Sequence, residues 1–168
     1  MGTVRSDHIV ITCAPRCGLG ESGLKSEIQS VEVSFFVQAT EDRPRLVDSV
    51  KARLSLGTDP SSEELQGHFG NRILRVTFRL VGEEAQRVFV SLASSLRKDH
   101  RSDIEGNLGA FMDEHKALYI RLDKQELLDG RYVLATKDPV RIKVKPRAFL
   151  MKGDATAFYH RVMGPSER

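Results

Sequence analysis

The residues Arg72–Leu80 constrain the fold most, because they alternate as a β-strand with one apolar face does. Successive side chains of a strand point to opposite sides of its sheet, so every second residue shares a face. The apolar face would carry Leu74, Val76, Phe78 and Leu80, and the other face Ile73, Arg75, Thr77 and Arg79. This strand is predicted to be half core and half exposed, with guanidinium groups on its exposed side.

Two further segments, Val31–Ala39 and Leu118–Leu122, alternate in the same way and predict strands. The segment Thr58–Gln66 is polar and predicts a loop. Apolar residues at helical spacing predict three helices: one capped by Thr40 and ending near Gly57, one over Glu83–Leu96 and one over Asp99–Met112. A terminal hairpin is predicted from Tyr132–Ala135 and Val140–Phe149.

This order of elements predicts an α+β fold with a single mixed, mostly antiparallel sheet and two to three helices on one face. Residues 1–30 are predicted to be a flexible N-terminal extension. Residues 31–150 form the predicted domain, and residues 151–168 a C-terminal tail or short helix.

The composition is that of an ordinary globular protein, with 168 residues, 40% hydrophobic and 29% charged. No apolar run approaches the ~18 residues of a membrane span, and the N-terminus lacks the pattern of a signal peptide. We therefore expect a cytoplasmic protein without a membrane partner.

Metal and cofactor sites are not expected. Cys13 and Cys17 have only His8 nearby, whereas a zinc site needs about four ligands. The glycines of Gly18–Gly23 have the spacing of a dinucleotide-binding loop, but too few residues follow for a crossover helix. The segment is instead typical of a flexible linker.

The charge is unevenly distributed although its net value is only +3. Residues 31–70 hold four basic and seven acidic side chains, and residues 131–168 hold nine basic and three acidic ones. A basic end of this kind favours contact with nucleic acid. The acidic stretch Glu41–Glu64 could instead pair with the basic end of a second copy, as in a homodimer.

The last predicted strand carries the sharpest functional signal, a row of four cations on one face: Arg141, Lys143, Lys145 and Arg147. Alternate residues of a strand lie roughly 6.6 Å apart, close to the spacing of phosphates along a nucleic-acid strand. Exposed lysines also protect edge strands from aggregation, so that explanation stays open.

If helices cover one side of the sheet, further cations and one aromatic ring would join this row on the other side: Arg75, Arg79, Arg121 and Tyr119, with Phe36 nearby. Cations interspersed with aromatic rings suit phosphate contact and base stacking. These residues are the predicted RNA-binding set.

The segment Gly67-His68-Phe69-Gly70-Asn71 predicts a turn, because glycines supply positive φ angles there. Gly67, His68, Gly70 and Asn71 could serve this turn or contact RNA. A catalytic group of His68, Asp123 and Lys124 is the enzymatic alternative, but no motif places a partner beside His68. We predict a protein that is not an enzyme.

Three segments together resemble a known family: Gln38–Asp42, Gly67–Asn71 and Tyr119–Gln125. In this order they are similar to the archaeal RNA-binding family once described as predicted exosome subunits, over roughly residues 31–147. The resemblance implies a fold like that of the large-subunit ribosomal protein that docks 5S RNA, and RNA binding without known catalysis. Members of that family often have proline where this chain has Arg72.

The combined prediction is a non-enzymatic protein that binds structured RNA, of the ribosome or of RNA processing, through a basic strand and sheet face. The alternative is a protein-interaction module or accessory subunit of an exosome-like assembly.

Overall fold

A computed structural model describes residues 26–68, 70–148 and 155–163. In chain order its elements are β1 (Ile28–Gln38), α1 (Arg43–Arg53), β2 (Ser61–Gln66), β3 (Arg72–Val81), α2 (Gly82–Ser95), α3 (Lys98–Gly106), α4 (Leu108–Phe111), β4 (Leu118–Asp123), α5 (Lys124–Leu128), β5 (Pro139–Pro146) and α6 (Ala155–Met163). The predictions for Cys13, Cys17 and the glycines of Gly18–Gly23 lie outside the described residues.

The five strands form a single sheet in the order β2-β3-β1-β5-β4, and all four pairings are antiparallel. With the six helices of the described residues, this confirms the predicted α+β class. None of these helices is long and apolar enough to cross a membrane.

The core lies between one face of the sheet and the helices. It is filled by the apolar residues that the strand alternation predicted, among them Phe35 and Phe78, whose rings stack at 6.5 Å. From the helical side, Phe89 of α2 packs against Phe158 and Tyr159 of α6. The opposite side of the sheet, which carries the polar residues of the same strands, is called the open face below.

The predicted loop over Thr58–Gln66 is wrong, because residues Ser61–Gln66 form β2. This strand pairs only with β3, at the edge of the sheet, and five of its six residues are exposed. An edge strand with both faces in solvent needs no apolar alternation, so its sequence shows none.

The predicted terminal hairpin is also wrong. β5 lies inside the sheet, paired with β1 on one side and β4 on the other. Residues 132–135 contribute only an isolated bridge between Leu134 and Leu122. Protection of a sheet edge therefore does not explain the cations of β5.

Several element boundaries also differ from prediction, including the end of α1 at Arg53 instead of near Gly57. Asp42, not Thr40, caps α1, because its carboxylate accepts a hydrogen bond from the Arg45 backbone N–H at 3.2 Å. The single helix predicted over Asp99–Met112 breaks at Asn107, between α3 and α4. β1 starts at Ile28, which is fully buried, three residues before the predicted start of the strand.

Candidate nucleic-acid interface

The strand register brings the predicted cations together on the open face. Glu32 of β1 lies between Arg79 and Lys143, and Ser34 lies between Thr77 and Arg141. On the next strand, Tyr119 pairs with Lys143 and Arg121 with Arg141, while Arg75 pairs with Phe36 on the other side of β1. Lys145 and Arg147 are exposed at the end of β5 and just beyond it. The strand positions of the predicted set thus belong to one continuous surface.

Two of these cations lie over aromatic rings. The Arg141 guanidinium is 5.7 Å from the centroid of the Phe36 ring, and the Lys143 ammonium is 4.8 Å from that of Tyr119. Such contacts are favourable and restrict how the long side chains move. They leave the open face with partly ordered positive groups.

The cations differ in how much of their charge the chain itself neutralises. Arg79 forms an ion pair with Glu32 at 3.3 Å, and Lys143 lies 4.0 Å from Asp113. Within the described part of the chain, five others have no ion pair: Arg75, Arg121, Arg141, Lys145 and Arg147. These five can meet an external anion without breaking an existing pair.

One pair of cations works against the stability of the sheet. Arg121 and Arg141 are direct cross-strand partners on β4 and β5. Like charges directly opposite each other destabilise a sheet. Fold stability therefore does not explain why these two charges face each other, although the Phe36 ring supports Arg141.

Asp113 organises the loop beside this surface. It accepts hydrogen bonds from the backbone N–H groups of His115 and Ala117, both at 2.9 Å, and from the Tyr119 hydroxyl at 3.0 Å. Partial burial opposes ionisation, but these hydrogen bonds and the Lys143 charge outweigh it and lower the pKa of Asp113 below its usual 3.8. The same contacts fix the Tyr119 ring in place.

Replacing Asp113→Asn should reduce the acid sensitivity of the fold. A carboxyl group whose pKa is lower in the folded state stabilises the fold, and this contribution is complete above its usual pKa of 3.8. The contribution is lost as the pH falls through the pKa of the folded state. The free energy of unfolding should therefore fall less in the variant than in the wild type between about pH 5 and about pH 3. Urea unfolding across this range measures it, with Asp48→Asn on the exposed face of α1 as control. Equal pH dependence in wild type and Asp113→Asn would contradict the assignment.

The Gly67–Asn71 segment connects β2 to β3. The Gly67 N–H donates to the Asn71 carbonyl at 2.8 Å, and the Gly70 N–H donates to the Gly67 carbonyl at 2.9 Å. Gly70 has a φ of +76°, and a Cβ on Gly67 would lie 2.3 Å from the Asn71 side chain. The backbone conformation of the turn thus favours glycine at position 70, whereas a side chain at Gly67 would require only the exposed Asn71 side chain to move.

His68 is exposed in this turn, at the β2 edge of the sheet, whereas Asp123 ends β4 at the opposite edge. Three strands lie between His68 and Asp123, and neighbouring strands are about 4.8 Å apart. The two side chains are therefore too far apart to form a hydrogen bond. The catalytic group considered from the sequence is not assembled. Asp123 instead caps α5, accepting from the Glu126 N–H at 2.9 Å. The described residues also contain no cluster of three or more His, Cys, Asp or Glu side chains that could hold a metal ion.

A family model described as RNA binding matches residues 30–146, from within β1 to the end of β5. The chain belongs to this RNA-binding family. The match includes every strand of the open face and every predicted site residue except Arg147. The helix α6 lies beyond it.

Relatives of this RNA-binding chain are found in archaea. The protein MJ0213 of Methanocaldococcus jannaschii is 24% identical over 120 residues, which are 67% of this chain and 80% of the relative. Mth689, a DUF54 protein from Methanothermobacter thermautotrophicus, superposes with a TM-score of 0.68 at 24% identity, covering 81% of this chain and 98% of that structure. Protein SSO0741 from Sulfolobus solfataricus gives a TM-score of 0.67 at 21% identity, over 80% and 96% of the two chains. These structures share the fold.

Proposed function

We propose that this protein binds structured RNA through the open face of its sheet. The observation that carries the proposal is the row Arg141, Lys143 and Lys145 on β5, a strand inside the sheet. An interior strand has no edge to protect, and these side chains point away from the core. The charges of Arg141 and Lys145 are therefore available for a partner, whereas Lys143 is partly neutralised by Asp113.

The arrangement suits a phosphate backbone. Cations along β5 recur roughly every 6.6 Å, and Arg121 on the adjacent β4 and Arg75 on β3, beyond β1, extend the charge across the sheet. Phe36 and Tyr119 place aromatic rings in contact with these cations, a combination that suits phosphates and unpaired bases. Five strands at about 4.8 Å spacing make the open face about 20 Å across.

The acidic stretch Glu41–Glu64 supports RNA over a charge-paired homodimer, because its acids are largely used within the chain. Glu41 binds Lys124, Asp59 binds Lys51 and Glu64 binds Arg72 in a bidentate pair. Asp42 caps α1. Of the acidic side chains in this stretch, Asp48 and Glu63 remain to contact the basic surface of a second copy.

We extend the proposal to the context implied by the family resemblance, RNA of the ribosome or of an exosome-like RNA-processing assembly in the cytoplasm. Cross-linking to cellular RNA followed by sequencing would identify the bound species.

The first test is fluorescence anisotropy with an RNA hairpin, a single-stranded RNA of the same composition and a DNA duplex, across a series of salt concentrations. Four to six phosphate contacts predict that log affinity falls with log salt with a slope of about −3 to −5, since each contact contributes ~0.7–0.9. The hairpin should bind most tightly. Failure to bind at low salt, or a slope near zero, would overturn the proposal.

A further inference from the structure

A cavity of about 370 Å³ opens next to Tyr119 at the β4 side of the open face. Its lining combines apolar side chains with two aromatic rings, one cation and one carboxylate, among them Met112, Leu134, Ala135, Phe111, Tyr119, Arg121 and Asp113. Sites for small organic groups typically occupy ~300–1,000 Å³ and are mostly apolar with a few polar groups. This cavity is at the small end of that range.

The cavity is built by two chain segments that hold the outer edge of β4. Met112 bridges to Leu118 at one end of the strand, and Leu134 bridges to Leu122 near the other. The Ala135 N–H also donates to the Arg121 carbonyl at 3.0 Å. Because both segments are fixed to the strand, the gap between them is a preformed part of the fold.

Part of the cavity lining is apolar. Phe111, Met112 and Leu134 are half-buried and pack against the core from the edge of the sheet. The Tyr119 ring is held by its hydrogen bond to Asp113, and Lys143, which lies over that ring, does not line this cavity. A planar ring can enter beside Tyr119 without displacing the ammonium group.

The cavity is continuous with the cationic surface. Arg121 both lines it and faces Arg141 across the β4–β5 pair, and it has no ion pair within the described residues. An anionic group joined to a planar ring would therefore meet the Arg121 guanidinium while its ring occupies the apolar walls. A nucleotide has this combination of parts.

We propose that this cavity receives one unpaired nucleotide of the bound RNA, with its base against Tyr119 and its phosphate at Arg121. This inference rests on the proposed function and narrows its substrate class to structured RNA with a bulged or looped-out nucleotide. Unpaired bases are the elements of RNA that protein side chains reach most readily.

The test compares two RNA hairpins that differ only by one bulged nucleotide, 2-aminopurine, whose fluorescence falls when it stacks. The wild type should bind the bulged hairpin about tenfold more tightly than the paired one, the usual effect of stacking one base on an aromatic side chain. Its 2-aminopurine fluorescence should drop on binding. Ala135→Phe, which fills the cavity without changing charge, should abolish this preference and retain the affinity and salt dependence for the paired hairpin.

Ala52→Phe is the matched control, because Ala52 is exposed on α1, away from the open face. It should keep the tenfold preference. Two results would overturn the cavity proposal and leave the proposed function standing. The first is equal affinity of the wild type for both hairpins without a fluorescence change, and the second is a preserved preference for the bulged hairpin in folded Ala135→Phe. Failure to bind either hairpin would overturn both. If circular dichroism shows that Ala135→Phe is unfolded, the 2-aminopurine fluorescence of the wild-type complex tests the cavity proposal: a drop on binding supports it, and no change overturns it.

Discussion

Combining Arg141→Glu with Lys145→Glu is expected to weaken RNA binding about 100-fold or more near 0.1 M salt, because each lost phosphate contact costs about tenfold under these conditions. The slope of log affinity against log salt should become shallower by ~1.4–1.8. Both side chains are exposed and outside the ion pairs of the described residues, so the fold should tolerate the change, although it removes the contact of Arg141 with the Phe36 ring. Lys143 is kept, since a glutamate there would face Asp113.

The matched control reverses Arg87 and Lys98, which are exposed on the helices α2 and α3. The net charge changes by the same amount, but this side of the molecule is separated from the open face by the core. Anisotropy should show an affinity within about threefold of the wild type, since screening removes most long-range effects beyond ~10 Å at this salt. An equal loss in both double variants would show that net charge, not the open face, governs binding. An unchanged affinity in the first would exclude the face as the site.

The side of the sheet on which each functional residue lies could be predicted from the sequence. The apolar residues of one strand fix its core face, and the period of two then fixes the opposite face. For this reason the sequence predicts a common side of the sheet for Arg75, Arg79, Tyr119, Arg121 and Lys143, and the structure places them there. The alternation does not indicate which strands are neighbours.

The strand order could not be predicted, because it depends on long-range pairing. The prediction placed β5 in a terminal hairpin, whereas it pairs with β1 and β4 inside the sheet. β2 was missed for a related reason. Its single apolar residue, Leu65, is only half-buried, so burial imposes no alternation on Ser61–Gln66. The position of β5 changes the functional argument, since it removes edge protection as an explanation of its cations.

The cavity beside Tyr119 gives no sequence signal either. Its walls come from residues 110–113 and 134–136, which meet only because both are bridged to β4. Lys124 was likewise considered only as a catalytic candidate. A lysine at the start of a helix is usually solvated, and its burial here follows from partners that are distant in sequence.

Lys124 is 3% exposed and is the buried centre of a polar cluster. Its ammonium donates to the Phe36 carbonyl at 3.0 Å and to the Glu41 carboxylate at 3.0 Å, and it forms a close ion pair with Asp138. It thereby joins α5 to the end of β1 and to the loop before β5. A buried cation is tolerated when its donors are matched in this way.

Replacing Lys124→Met should lower the free energy of unfolding by about 3 kcal/mol, because the Phe36 carbonyl and two carboxylates lose their shared donor. This loss of stability is at the low end of the range for breaking a buried ion pair, because Asp138 is 42% exposed and Glu41 retains a hydrogen bond from the Gln38 N–H. Urea unfolding measures it, and the melting temperature should fall by roughly 6–12 °C.

The same substitution at Lys51 provides the control, because its pair with Asp59 is on the surface, with Asp59 93% exposed. Lys51→Met should cost less than about 1 kcal/mol. If unpaired buried charge causes the loss at Lys124, adding Glu41→Gln and Asp138→Asn to Lys124→Met should restore part of the stability, since the orphaned charges are then removed. Equal losses in the two methionine variants, or a triple variant less stable than Lys124→Met alone, would contradict this account and leave side-chain packing as the role of Lys124.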